Sequence, residues 1–255
     1  MMKISKMFQA GAVALLLSGS AMADSVDLSG WLAEGSNGNW VVQAGNDAVK
    51  QTVNSARPTF FHNNANSQGL ALSGEITVQT KSDNDFMGFV LGYNAGDYKN
   101  ASANYILIDW KQADQSGGAK GLAISRVTGS LDNGNHFNDA WYHTGVTDGG
   151  VVTELARATN FGDEGWADNK TYTFDLIFTA SLIEVFVDGI KELSLSGLFN
   201  DGSFGFYNHS QENVLYAGIT QATAPAVPVP AALFMFAPAL LGFMGLRRKA
   251  KATTA

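Results

Sequence analysis

From about Leu70 onward, apolar and polar residues alternate in short stretches separated by Gly, Asn and Asp. In an extended chain successive side chains point to opposite faces, so each stretch predicts a half-buried strand. The pattern gives ten: Ala71–Thr80, Phe86–Tyr93, Asn104–Lys111, Gly121–Thr128, Val151–Ala158, Thr171–Phe178, Leu182–Val187, Ile190–Leu195, Gly202–Tyr207 and Val214–Thr220. Asp188-Gly189 lies between two of them and signals a two-residue hairpin. No stretch between the two chain ends keeps a long 3.6-residue period. Many short strands with Gly-rich turns predict an all-β sandwich or barrel, and about 190 residues suit a jelly roll of two large sheets.

The pattern changes at both ends. Residues 1–23 carry Lys3 and Lys6, an apolar run from Ala10 to Leu17, and Ala21-Met22-Ala23. A basic start, a short apolar run and small residues at Ala21 and Ala23 are the layout of a cleavable export signal, and the run is too short to span a bilayer as a mature helix. Residues 24–38 then form a lead-in to a domain at 39–220, followed by a Pro/Ala-rich linker at 221–228. From Val229 to Leu246 there is no charge, and Arg247-Arg248-Lys249 follows at once. Eighteen residues of helix reach roughly 27 Å, just enough to cross a hydrocarbon core. Positive charge stays on the cytoplasmic side, so this tail (229–251) predicts a transmembrane helix with the sandwich facing outward.

Charge sharpens the picture. All 23 Asp and Glu lie between Asp24 and Glu212, where only ten Lys and Arg stand against them, a balance of −13. Such a surface repels phosphate backbones and argues against a nucleic-acid partner. The chain has no cysteine, which removes disulfides, thiolate metal sites and cysteine nucleophiles.

The order Val227-Pro228-Val229-Pro230-Ala231-Ala232, apolar helix, Arg247-Arg248 resembles the PEP-CTERM sorting signal of Gram-negative bacteria that make exopolysaccharide. That resemblance implies an exosortase-type processing partner, an inner-membrane stage before processing, and a final place at the cell surface or in extracellular matrix. A plain C-terminal anchor is the alternative. A second resemblance covers about Asn39 to Ile219. Trp40-Val41-Val42-Gln43, Ser82 through Tyr93, Trp110-Lys111-Gln112, Trp141-Tyr142-His143-Thr144-Gly145, Trp166, and Gly205 through Glu212 are similar in order and spacing to the thrombospondin C-terminal domain. This implies a concanavalin-like, L-type-lectin-like jelly roll. The family's cysteines are absent, as is any Arg-Gly-Asp, so the receptor binding of animal members is not carried over.

The first candidate for chemistry is Asp83-Asn84-Asp85. Closely spaced hard oxygens on a loop between strands suit calcium. The resemblance implies calcium here too, with Asn84 standing where the family carries a third acid; a solvated polar turn is the alternative. His143 is expected to be a hydrogen-bonded structural residue, Ser210-Gln211-Glu212 to tie a turn, and most of the five Trp to pack in the core or at its rim. Catalytic signatures are missing: no strand carries the Glu-x-Asp-x-x-Glu run of sandwich glycosidases, and there is no Gly-x-Ser-x-Gly, His-Glu-x-x-His or phosphate loop. The sequence therefore predicts a noncatalytic, exported, lectin-like adhesion module meeting surface glycans or exopolysaccharide, with an extracellular polysaccharide-active enzyme as the alternative.

Overall fold

The computed structural model describes residues 23–225. Fifteen strands occur among them: β1 (Asp24–Ser25), β2 (Leu32–Gly35), β3 (Trp40–Val42), β4 (Val49–Gln51), β5 (Thr59–His62), β6 (Leu70–Val78), β7 (Phe86–Tyr93), β8 (Asn104–Lys111), β9 (Gly121–Thr128), β10 (Val152–Arg157), β11 (Thr171–Phe178), β12 (Leu182–Val187), β13 (Ile190–Ser196), β14 (Ser203–His209) and β15 (Val214–Thr223). One eight-stranded sheet runs β13-β12-β11-β6-β15-β4-β3, with β1 paired to β15. A seven-stranded sheet runs β10-β9-β8-β7-β14-β5-β2. Every ladder is antiparallel. The expected all-β sandwich of two sheets is what forms.

The period-two pattern explains the core between the sheets. Leu72, Ile76 and Val78 of β6 and Tyr172, Phe174, Leu176 and Phe178 of β11 meet Met87, Phe89 and Leu91 of β7 and Ile106, Ile108 and Trp110 of β8. Asp188 and Gly189 both take positive φ, 50° and 74°, as a two-residue turn between twisted strands requires, and join β12 to β13. Near the middle of the seven-stranded sheet, Gly88 sits where a Cβ would lie 2.0 Å from the Ile108 carbonyl oxygen; the two strands approach too closely there for any side chain.

The seven-stranded sheet is buried on its other face as well. Phe60, Phe86, Val90, Tyr93, Tyr105, Leu107, Val127 and Tyr207 point away from the first core into a second one, closed by Tyr98, Ala103, Leu131, Ala140 and Val151. Residues 94–103 and 129–151 therefore form a third layer. The latter includes the single α-helical turn among the described residues, α1 (Asp139–Tyr142). The lead-in at 24–38 is part of the sandwich: it supplies β1 and β2, and Leu28 is wholly buried. The expected export-signal residue Ala21, the sorting residues Val227, Pro228, Pro230, Ala231, Ala232, Arg247 and Arg248, and the predicted transmembrane helix lie outside the described residues. No helix among the described residues is long and apolar enough to cross a membrane.

Candidate functional site: the Asp83–Asp85 loop and its lysine

Three loops meet at one end of the sandwich. Asp83-Asn84-Asp85 enters β7, Asn54-Ser55 precedes β5, and Ser210-Gln211-Glu212 joins β14 to β15. Hydrogen bonds hold them together. Asn54 Nδ2 donates to Asp83 Oδ2 at 2.5 Å, Ser210 Oγ to Asn54 Oδ1 at 3.3 Å, and the Asp85 backbone N–H to Gln211 Oε1 at 2.9 Å. Gln211 is wholly buried, so the sequence expectation of a side-chain-tied turn holds.

The two carboxylates of the loop have different surroundings. Asp85 is buried and forms an ion pair of 2.5 Å with Lys111 Nζ, whose side chain has no exposed surface. The same ammonium donates to the Asn84 carbonyl and to Gln115 Oε1, each at 3.3 Å, and lies 4.4 Å from the Trp141 ring and 5.0 Å from that of Phe86. A buried ammonium needs such a cage, because an unpaired charge there would cost several kcal/mol, on the order of the penalty for a broken buried pair. Asp83 is half-buried. Burial, the neighbouring Asp85 carboxyl and Glu212 push its pKa up to about 7 against the opposing pull of the Asn84 N–H. Asn84 Oδ1 is buried and has no hydrogen-bond partner.

This arrangement accommodates a hard cation in part. Crowded carboxylates and an orphaned amide oxygen are the donors calcium prefers. Lys111, however, already neutralises one carboxylate. Among the described residues no three His, Asp or Glu side chains converge as a group able to hold a metal. The loop alone is thus not the ready metal cage the sequence expectation implied: Asn84 Oδ1 is free, Asp83 would bind in competition with protons and with the N–H donors of Asn54 and Asn84, and Asp85 in competition with Lys111.

A second polar cluster lies under the third layer. His143 follows α1 in the left-handed conformation, φ 50°. Its Nδ1 is 2.7 Å from Glu154 Oε2 and its Nε2 3.0 Å from Asp109 Oδ2, while Arg157 pairs with Glu154 at 2.9 Å. Burial alone would lower the His143 pKa, but the Asp109 and Glu154 carboxylates outweigh it and hold the imidazolium up to about 10. His143 is hydrogen-bonded through both ring nitrogens, the hydrogen-bonded part of the expectation. No role for Lys111, Asp109 or Glu154 follows from the sequence pattern alone. The available signal was a charged residue at an otherwise apolar strand position, as in Ile108-Asp109-Trp110-Lys111. All five Trp pack: Trp110 and Trp166 in the core, Trp31 and Trp40 stacked at its rim, Trp141 on Phe86 and His209.

The family profile for the thrombospondin C-terminal region matches residues 35–224, which is nearly the whole sandwich. The chain belongs to that family. Thrombospondin-2 of Gallus gallus is 29% identical over 198 residues, covering 71% of this chain and 16% of the relative. Cartilage oligomeric matrix protein of Homo sapiens is 27% identical over 207 residues, covering 74% of this chain and 26% of the relative. This member of the thrombospondin C-terminal family thus spans about a quarter or less of the relatives it matches. Solved structures with the same fold include a carbohydrate binding module, CBM66, from Bacillus subtilis (TM-score 0.52, 13% identity, 75% of this chain and 94% of that one). The exoplasmic/lumenal domain of VIP36 in a Ca2+/Man3GlcNAc-bound form is similar too (TM-score 0.51, 13% identity, 80% and 87%). At that identity the likeness is one of fold.

Proposed function

We propose that this chain is an exported, noncatalytic, lectin-like adhesion or matrix module that binds calcium at Asp83-Asn84-Asp85 and meets glycans with its surface. The observation that carries the reading is the thrombospondin C-terminal match along essentially the entire two-sheet core. Two fold neighbours, a carbohydrate binding module and a domain crystallised with Ca2+ and Man3GlcNAc, support it. Residues 1–23 act as the export signal. Residues 229–251 act as a PEP-CTERM-like tail that holds the protein in the inner membrane, facing outward, until an exosortase-type enzyme processes it and leaves it at the cell surface or in extracellular polymer.

Charge supports calcium. Asp83, Asp85 and Glu212 lie near one another with Lys111 as the cation paired to the loop, so a divalent ion would relieve the excess. Asp83 and the Asn84 amide oxygen would hold it, with backbone carbonyls and water completing the shell. Because Asp83 must ionise, protons compete below about pH 7. Calcium affinity is expected to fall about tenfold per pH unit below that point and to level off above it. Calorimetry at pH 5.5, 6.5 and 7.5 reads this, and an affinity that is flat with pH, or no binding by the wild type, removes calcium from the loop. Asp83→Asn should bind weakly and without the pH slope.

A glycan array in calcium and in chelator tests the wider reading. Binding that weakens in chelator is expected, and no binding under either condition overturns the lectin-like reading. Release of reducing ends from any polysaccharide by the purified protein, lost on no chromatographic separation, would favour the enzyme instead. Mass spectrometry of the exported protein should find a start at Asp24.

A further inference from the structure

A cleft of about 300 Å³ opens between β2 and the loop that follows β7, away from the Asp83 loop, and is lined by Glu34, Gly35, Gly96, Tyr98 and Lys99. Its walls are chemically opposed. On one side Glu34, its side chain 23% exposed, is held in place: Oε2 accepts from Tyr93 OH at 2.6 Å, and both oxygens accept from the Gly96 N–H at 3.0 Å. A carboxylate has about four lone-pair sites, so acceptor capacity is left over. On the other side Lys99 is exposed and forms no ion pair among the described residues. The backbone of Gly35 and Gly96 lies between, with no side chain to fill the space.

Behind these walls one buried polar atom has no hydrogen-bond partner. His62 Nε2, on a side chain with no exposed surface, stands 3.9 Å from Glu34 Oε1. The Tyr98 hydroxyl instead lies beside Arg57 and Asp132, neither of which lines the cleft. A buried ring nitrogen without a hydrogen-bond partner calls for an explanation, and its place behind Glu34 suits a site whose polar network a ligand completes. The volume is at the small end of the range for ligand pockets, on the order of one or two sugar rings.

We propose that this cleft is the saccharide subsite of the module and takes a neutral sugar with adjacent hydroxyls. One hydroxyl donates to the free lone pairs of Glu34 and its neighbour accepts from Lys99, a pairing that an isolated alcohol cannot satisfy. A neutral rather than acidic sugar is required because Glu34 faces the ligand and the surrounding domain carries a balance of −13. The inference rests on the glycan-binding reading above.

Its test combines an array of neutral and acidic oligosaccharides with an amide NMR titration using the best neutral hit. Wild type, Glu34→Gln and Lys99→Ala are compared. Binding of a neutral oligosaccharide should weaken at least about tenfold in each variant, the loss of one charge-assisted hydrogen bond. Gly35, Gly96 and Lys99 amides should shift most in the wild type. Lys99 is exposed and unpaired, so Lys99→Ala should keep the wild-type melting temperature and separates lost binding from lost folding. Binding that survives both variants, or shifts clustered on another surface, overturns the cleft while leaving the lectin-like reading intact. Binding of acidic glycans alone overturns the ligand class. An array with no binding at all ends both.

Discussion

At the residue scale, charge placement decides behaviour. His143 is the clearest case, because its imidazolium pairs with Asp109, a carboxylate that is wholly buried. Its pKa is raised in the fold, so the stabilisation is fully present below the unfolded value near 6.5 and is lost as pH rises through about 10. The melting temperature of the wild type should therefore decline between pH 7 and pH 10. His143→Gln should be destabilised by about 3 kcal/mol or more at pH 7, the cost of leaving a buried carboxylate unpaired, and its decline with pH should be shallower. Thermal melts of both proteins across that range check this, and parallel curves would assign the pH dependence elsewhere. Lys111 plays the corresponding part for Asp85, and neither ion pair could be anticipated from sequence spacing. Lys111, at the end of β8, and Asp85, in the loop just before β7, are 26 residues apart; Asp109 and His143 are brought together by a loop folding back across the sheet.

At the element scale, the ten strands from Leu70 onward could be read from alternation because one or both of their faces meet a core, and seven of them form with the predicted bounds or within a residue of them. Strands β1 to β5 were not predicted. They are two to four residues long, too short for a period to appear, and β5 (Thr-Phe-Phe-His) is buried at every position. Their pairing comes from the longer strands beside them: β5 from β14, β4 from β15. The 129–151 segment, which showed no period, is ordered by what it covers. Trp141 packs edge-on against Phe86 and His209 and lies over the Lys111 ammonium. Trp141→Ala should release this segment as a unit. In hydrogen exchange, amides of 129–151 should lose protection while those of β6, β11 and β7 keep theirs; uniform loss across the domain would show that the cover and the sandwich unfold together.

At the scale of the whole molecule, the acidic excess acts on stability and on partners alike. A domain carrying −13 repels itself, and salt screens that repulsion over about 8 Å at physiological strength. Raising sodium chloride from 0.02 to 0.5 M should raise the melting temperature by a few degrees, whereas an unchanged or lower value would mean that the internal ion pairs dominate. What the sequence determined alone is the class of fold, the hairpin at Asp188-Gly189, the acidic surface and the absence of thiol chemistry, because each depends on residue type and near-neighbour spacing. What only the tertiary structure decided is the third layer on the seven-stranded sheet, the Lys111 and His143 cages and the cleft at Glu34. Those depend on which distant segments meet, and contacts across 26 to 62 residues leave no periodic trace in the chain.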